Sequence, residues 1–334
     1  MKIGVIGSGS WGTALANVLA QNQQEVLIYG IHESEVNDIN QNHKNSRFFK
    51  DVNLHPNLKA TTDFNALNDF DIFLLAVPSI AIEEICIKIN SLLTKPVYII
   101  NVAKGFHPVS HKFLMEVIED TIDENQLKAV ISLIGPSHAE EVVLNQLTAI
   151  NAVSKDLKAA EMVQELFSNE NFRVYTNDDV IGAQTGVAIK NIIALASGVA
   201  SGLGYGDNTR AALVTRGLAE MSRFGVALGG QFETFLGLCG VGDLVVTAMS
   251  PHSRNFQAGY QVAKDGSVHN FNETNKTTVE GVKAAKIVYE EAQKRNIDMP
   301  ITEQVYKVFY ENKDPKIAIK DLMTRDLKHE NLEK

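Results

Sequence analysis

Five stretches of the chain bring together residue types that can do chemistry or frame it. Gly7-Ser8-Gly9-Ser10-Trp11-Gly12 has the spacing of a dinucleotide fingerprint. Gly7 suits a tight turn, Gly9 lets a backbone approach a pyrophosphate, and Gly12 lets a helix pack close to its strand. A plain βα turn uses the same glycines, so the context around them has to decide. Lys190 sits in the apolar run Ala188-Ile189-Lys190-Asn191-Ile192-Ile193-Ala194. Such a lysine either snorkels to solvent or stays buried, where desolvation makes it an acid or base usable near neutral pH. Gly237-Leu238-Cys239-Gly240-Val241-Gly242-Asp243-Leu244 crowds three glycines before one acid. Asp243 is then a helix N-cap, a ligand contact, or both. Ser253-Arg254-Asn255 supplies a hydroxyl, a guanidinium fork and an amide, a set that suits a phosphate and serves equally as a surface cap. Gly206-Asp207-Asn208-Thr209-Arg210 reads as a polar loop in which Asn208 or Thr209 caps the next helix.

These residues need elements to hold them. Lys2–Ile6 is a short β-rich run, and the segment from Thr13 to Ala20 is rich in Ala and Leu. Strand, glycine turn and helix therefore follow directly, with the helix N-terminus available to a diphosphate. Glu25 to Tyr29 is a second strand, and its end faces an adenosine ribose in a dinucleotide fold. Ile31 and His32 stand there, with Glu33 slightly late, so neither an acid for NAD nor an arginine for NADP is evident and the cofactor is open as NAD or NADP. His32 is a cofactor contact or a solvated loop histidine. The segment from Glu33 to Ala60 reads as a helix-and-loop excursion. Further strands are expected over 69–77, 97–102, 129–134, 149–153 and 172–175. Helices are expected over 80–93, 111–122 and 157–167. Continuous apolar strands alternating with helices indicate a doubly wound sheet, with ligands beyond the strands' carboxyl ends, where Lys104 and Ser137 lie. After about Asp178 no strand series continues. Helices are expected over 187–203, 210–228, 282–295 and from Pro300, before a charged tail ending at Lys334. The expected organisation is α/β: a Rossmann-type dinucleotide-binding domain over 1–180, then an all-helical substrate and catalytic domain over 181–334.

Composition narrows the function classes. The chain has 334 residues, enough for about two domains. Its formal net charge of −9 argues against a nucleic-acid partner or an anionic membrane surface. Cys86 and Cys239 are the only cysteines, too few for a disulfide framework or a four-sulfur zinc site, so no metal is expected and a reducing cytosol is the simplest setting. Met-Lys-Ile-Gly opens without a secretory pattern. The apolar runs are interrupted by Gly, Lys or Asn, so a cytoplasmic protein without a membrane span is expected.

In their order and spacing these stretches resemble the bacterial-type NAD(P)-dependent glycerol-3-phosphate dehydrogenases over nearly the whole chain. The carrying blocks run from the opening glycine turn through Val102-Ala103-Lys104-Gly105 and Gly135-Pro136-Ser137-His138-Ala139-Glu140-Glu141. They continue with Lys190-Asn191, Gly206 to Leu213, Thr215 to Met221, Gly237 to Leu244 and Ser253-Arg254-Asn255. The resemblance implies reversible interconversion of dihydroxyacetone phosphate and sn-glycerol 3-phosphate, with the product feeding phospholipid synthesis. It implies that Lys190 is the proton donor and acceptor and that Asp243 binds substrate or orients Lys190. Ser10, Trp11, Lys104, Ala139, Arg254 and Glu280 match cofactor positions. Lys104, Gly135, Ser137, Ser253, Arg254 and Asn255 match substrate positions. A homodimer is compatible with it. The chain departs from its relatives at Ile31, where they carry a basic residue or histidine, and at Lys50, where many carry proline. Gln184 replaces a glutamate and Val187 a glycine just before Lys190. Two other readings keep the residues: a same-fold dehydrogenase of another small hydroxy acid, and a non-catalytic nucleotide-binding protein.

Overall fold

The computed structural model describes residues 1–274, 279–327 and 329–330, so residues 331–334 of the charged tail lie outside it. The chain forms two compact units, Met1–Val180 and Ile181–Lys334.

The first unit is an eight-stranded sheet: β1 (Lys2–Ile6), β2 (Glu25–Tyr29), β3 (Lys59–Thr61), β4 (Ile72–Leu75), β5 (Val97–Asn101), β6 (Leu127–Ile134), β7 (Thr148–Val153) and β8 (Phe172–Asn177). Their order is β3-β2-β1-β4-β5-β6-β7-β8. Every neighbouring pair is parallel except β6 with β7. The helices are α1 (Ser10–Gln21), α2 (Glu33–Asn37), α3 (Ile82–Leu92), α4 (Leu114–Thr121), α5 (Ala139–Val142) and α6 (Leu157–Phe167). The core explains the strand pattern, since Ile3, Val5, Ile28, Ile72, Leu74, Ile100 and Ile131 are all buried on one continuous cluster with Leu15 and Leu19 of α1. From β1 the chain runs outward to β2 and β3, then crosses back to β4 on the other side of β1. That reversal is the switch point at which doubly wound sheets bind ligands, and it lies beside the glycine turn.

Local differences from the sequence reading have local causes. β3 is only three residues, Lys-Ala-Thr, and exists through pairing with Leu27–Tyr29 rather than through any apolar pattern. The helix expected from His111 begins at Leu114, because His111 is in the left-handed region at φ 59° and Phe113 is extended. α1 begins at Ser10 rather than Thr13, with Gly9 at the N-cap position.

The second unit is helical throughout its described residues: α7 (Val180–Gly202, starting one residue earlier), α8 (Asp207–Ala227), α9 (Phe232–Phe235), α10 (Asp243–Met249), α11 (Arg254–Asp265), α12 (Val268–Thr274), α13 (Glu280–Arg295), α14 (Pro300–Tyr310) and α15 (Pro315–Met323). A π-helical turn, Leu238–Gly242, joins α9 to α10. α8 starts at Asp207 behind Gly206, so neither Asn208 nor Thr209 caps it; Asp207 pairs with Arg210 inside the first turn. α7 and the segment Phe232–Met249 are long and apolar enough to cross a membrane by length and composition. However, 89% of the α7 window is buried inside the protein, and 232–249 is broken into two helices and a turn. Small residues let α7 touch its neighbours backbone to backbone: a Cβ on Gly186 would fall 2.3 Å from the Cys239 carbonyl oxygen, and one on Gly198 2.0 Å from that of Phe256.

Glu220 fastens α8 to α14. Its buried carboxylate accepts from the Ile301 N–H (2.5 Å), the Thr302 N–H (3.1 Å) and the Thr302 hydroxyl (3.2 Å). Complete burial pushes its pKa up from 4.5 to about 7, against the pull of those donors and of Arg223. The folded chain therefore holds a proton that the unfolded chain releases between pH 4.5 and 7. The stabilisation is complete below that window and is lost as pH rises through it, by up to about 3 kcal/mol. Denaturant titrations at pH 5 and pH 7.5 should show this fall in wild type and its absence in Glu220→Gln.

Candidate active site

In the first unit the glycine turn sits where β1 hands over to α1. Gly7 has φ +114°, and a Cβ there would lie 2.4 Å from the Ala76 carbonyl oxygen at the end of β4. A Cβ on Gly12 would lie 2.1 Å from the Gly7 carbonyl oxygen. Both glycines are required by the fold itself. Gly9 is different: its backbone is extended and a Cβ there would meet nothing within 4 Å. Among the described residues no side chain caps α1, so its first N–H groups and positive dipole end are left for a ligand. These features fit a dinucleotide pyrophosphate. The turn is braced from behind, since the Ser8 carbonyl accepts from the Asn45 amide (2.8 Å) and the Thr13 hydroxyl (3.2 Å). Ser10 and Trp11 are half-buried in the first turn of α1, with Trp11 packed on the core. His32 is exposed at the N-cap position of α2, and Ile31 beside it is 75% exposed.

The same unit gathers a second set at the ends of β5 and β6. Lys104 follows β5, and its Nζ reaches the Gly135 carbonyl at 3.5 Å. The Ser137 hydroxyl donates to that same carbonyl at 3.1 Å. Gly135 holds φ +153°, and Ala139 is buried at the start of α5. Two side chains, Lys104 from the loop after β5 and Ser137 from two residues on, thus converge on the Gly135 carbonyl.

In the second unit Lys190 is only 3% exposed and does not snorkel. Its ammonium donates to the Asp243 carboxylate and, at 2.9 Å, to the Thr247 hydroxyl. That hydroxyl also lies 3.3 Å from the same Asp243 oxygen. Asp243 is the first residue of α10 behind Gly242, so it is not the N-cap; its carboxylate, 1% exposed by residue, is committed to Lys190. Gly186, one turn before Lys190, brings α7 onto the Cys239 carbonyl and so sets the spacing of this pair. Gln184 and Val187 are buried on the same helix. Thr247 escaped the sequence reading, although its place one helical turn after Asp243 puts both on one face.

A neighbouring network joins three helices. The Asn255 amide donates to the Asn191 side-chain oxygen (2.9 Å), and its own oxygen accepts from the Gly281 N–H (2.9 Å). Ser253 is the N-cap of α11, its hydroxyl accepting from the Phe256 N–H at 3.2 Å. Arg254 is exposed in the first turn of α11, and Glu280 is half-buried at the start of α13.

A sheet with this switch point and glycine turn is the architecture of dinucleotide-dependent oxidoreductases, and a buried lysine beside an acid equips such an enzyme for the proton half of carbonyl reduction. Sequence models of the NAD-dependent glycerol-3-phosphate dehydrogenase N-terminus and C-terminus match residues 2–160 and 179–320. The glycerol-3-phosphate dehydrogenase [NAD(P)+] of Listeria monocytogenes serotype 4b is 48% identical over 330 residues, 98% of each chain. That of Staphylococcus haemolyticus is 48% identical over 331 residues, covering 98% of this chain and 99% of the other. The crystal structure of glycerol-3-phosphate dehydrogenase from Coxiella burnetii superposes with a TM-score of 0.89 at 35% identity, covering 97% of this chain and 99% of that one. The chain belongs to the NAD-dependent glycerol-3-phosphate dehydrogenase family. Its activity is that of an NAD(P)-dependent oxidoreductase acting on glycerol 3-phosphate.

Proposed function

We propose that this chain reduces dihydroxyacetone phosphate reversibly to sn-glycerol 3-phosphate, unit 1 binding the dinucleotide and unit 2 supplying the acid. The observation that carries this reading is the buried Lys190, hydrogen-bonded to Asp243 and Thr247. When bound, NADH or NADPH supplies the hydride, which goes to C2 of the ketone. Lys190 gives a proton to the C2 oxygen as it gains charge, so one C–H bond and one O–H bond form as the carbonyl π bond is lost. Asp243 and Thr247 hold the ammonium in one orientation and keep it available as donor. In the reverse direction the same amine takes the proton.

Gly7, Gly9, Ser10, Trp11 and Gly12 serve the dinucleotide, with His32, Ala139, Arg254 and Glu280 as further contacts and Lys104 shared with substrate. Gly135, Ser137, Ser253, Arg254 and Asn255 serve the phosphate-bearing substrate together with Lys190 and Asp243. Arg254 suits that role because it is exposed at a helix N-terminus with a fork that matches phosphate oxygens. A cytoplasmic setting, a homodimer and a supply role in phospholipid synthesis belong to this reading as well; sedimentation analysis tests the dimer. The central test is steady-state oxidation of NADH and NADPH with dihydroxyacetone phosphate. Turnover is expected, and no turnover with either cofactor would end the proposal.

A further inference from the structure

The sequence places no arginine near the end of β2, yet the fold brings one there. Glu35, on α2, is buried, and its two carboxylate oxygens serve two different segments. One accepts from the Ser8 hydroxyl, between Gly7 and Gly9 of the dinucleotide turn, and the other accepts from Arg47 Nη1. Gly30, the residue after β2, leaves room for this arrangement, because a Cβ there would lie 2.5 Å from the Ser8 hydroxyl oxygen. Asn45 fixes the Arg47 loop a second time, through its bond to the Ser8 carbonyl. Arg47 is thus held against the turn at one edge of its fork, while its side chain remains 59% exposed and lies 5.4 Å from the Phe48 ring centre.

Two consequences follow for the adenosine ribose, which a fold of this kind places off the end of β2. Glu35 is committed to internal partners and is not available to accept from a ribose 2′-hydroxyl. Ile31, exposed on the same segment, cannot bind an anion. Arg47 is the cation that the glycine turn itself orients, and it keeps the Nε–Nη2 edge of its guanidinium for an acceptor. We propose that Arg47 is a specificity-determining residue that binds the 2′-phosphate of NADP, and that Glu35 and Ser8 position it. The proposal rests on the dinucleotide reading of the glycine turn.

The test is equilibrium binding without turnover, following fluorescence on titration with NADPH, NADH, adenosine 2′,5′-bisphosphate and AMP. Wild type should bind NADPH, and adenosine 2′,5′-bisphosphate more tightly than AMP. Arg47→Ala should raise the Kd for NADPH and for the bisphosphate by about tenfold or more, the size of one lost charge-assisted contact, and leave NADH and AMP within about twofold. Arg47→Lys keeps a positive charge beside Glu35, so it guards against a variant that fails to fold; it should lose part of the NADPH affinity and none of the NADH affinity. Equal losses for both dinucleotides would reduce Arg47 to a structural partner of Glu35 and overturn the assignment, as would unchanged NADPH binding. Wild type that binds NADH but neither NADPH nor the bisphosphate overturns it too, and leaves the dehydrogenase reading intact. Failure to bind either dinucleotide would overturn both.

Discussion

Lys190→Ala should lower kcat by about 10²–10⁴-fold, the range for losing a positioned general acid, while NADH still binds as in wild type. The substitution has a second effect that must be separated from the first. Asp243 is 1% exposed, and without the ammonium its carboxylate loses the cation it faces while staying buried against the Thr247 hydroxyl. Removing one partner of a buried ion pair costs about 3–5 kcal/mol, so the variant should also unfold at lower denaturant. The double variant Lys190→Met/Asp243→Asn discriminates. It removes both charges together, so stability should return toward wild type while turnover stays lost. If turnover returned with stability, Lys190 would be a structural cation rather than the acid. A single Lys190→Ala enzyme with wild-type kcat would refute the catalytic assignment directly.

How far the sequence exposed this arrangement depends on the range of the interaction concerned. The glycine turn and the alternation of strands and helices are local patterns, and the centre of the sheet follows from them because a strand such as Ile72–Leu75 is a continuous apolar run. The Lys-Ala-Thr of β3, by contrast, is a strand only through its pairing with β2. The π turn before Asp243 and the pairing of Asp243 with Lys190 are not local. They depend on Gly186 letting α7 reach the Cys239 carbonyl, which no periodicity records. The residues around Asp243 therefore left it open as a cap or a ligand contact, and only the family resemblance tied it to Lys190. Ser253 was legible both as a cap and as an anion contact, and its hydroxyl does cap α11. Asn255 carries no local sign that its amide bridges Asn191 to Gly281. Arg47 was invisible for the same reason. It lies in an irregular loop, and its importance arises only where Glu35 turns back to Ser8.

The glycines of the opening turn separate what the fold needs from what a ligand needs, and this yields the second large effect. Gly12→Ala should destabilise the first unit by about 3 kcal/mol or more, at or beyond the upper end for overpacking. Its Cβ would lie 2.1 Å from a backbone oxygen, which no rotamer change relieves. Gly9→Ala should behave in the opposite way. Its backbone is at φ −67° and ψ 179°, which alanine adopts freely, and its Cβ meets no atom of the chain within 4 Å. Stability should change by less than about 1 kcal/mol, since alanine restricts the unfolded chain more than glycine does but is the poorer residue at an N-cap position. Yet the added methyl occupies the space over the first N–H groups of α1. The Kd for NADH and NADPH should therefore rise together, by about 100-fold, equivalent to about 2.7 kcal/mol. A parallel loss distinguishes this site from Arg47, whose replacement should discriminate between the two cofactors. Thermal unfolding of Gly9→Ala beside its dinucleotide titration checks both halves. A stable variant that binds NADH with wild-type affinity would mean that the open space over Gly9 is not where the pyrophosphate sits.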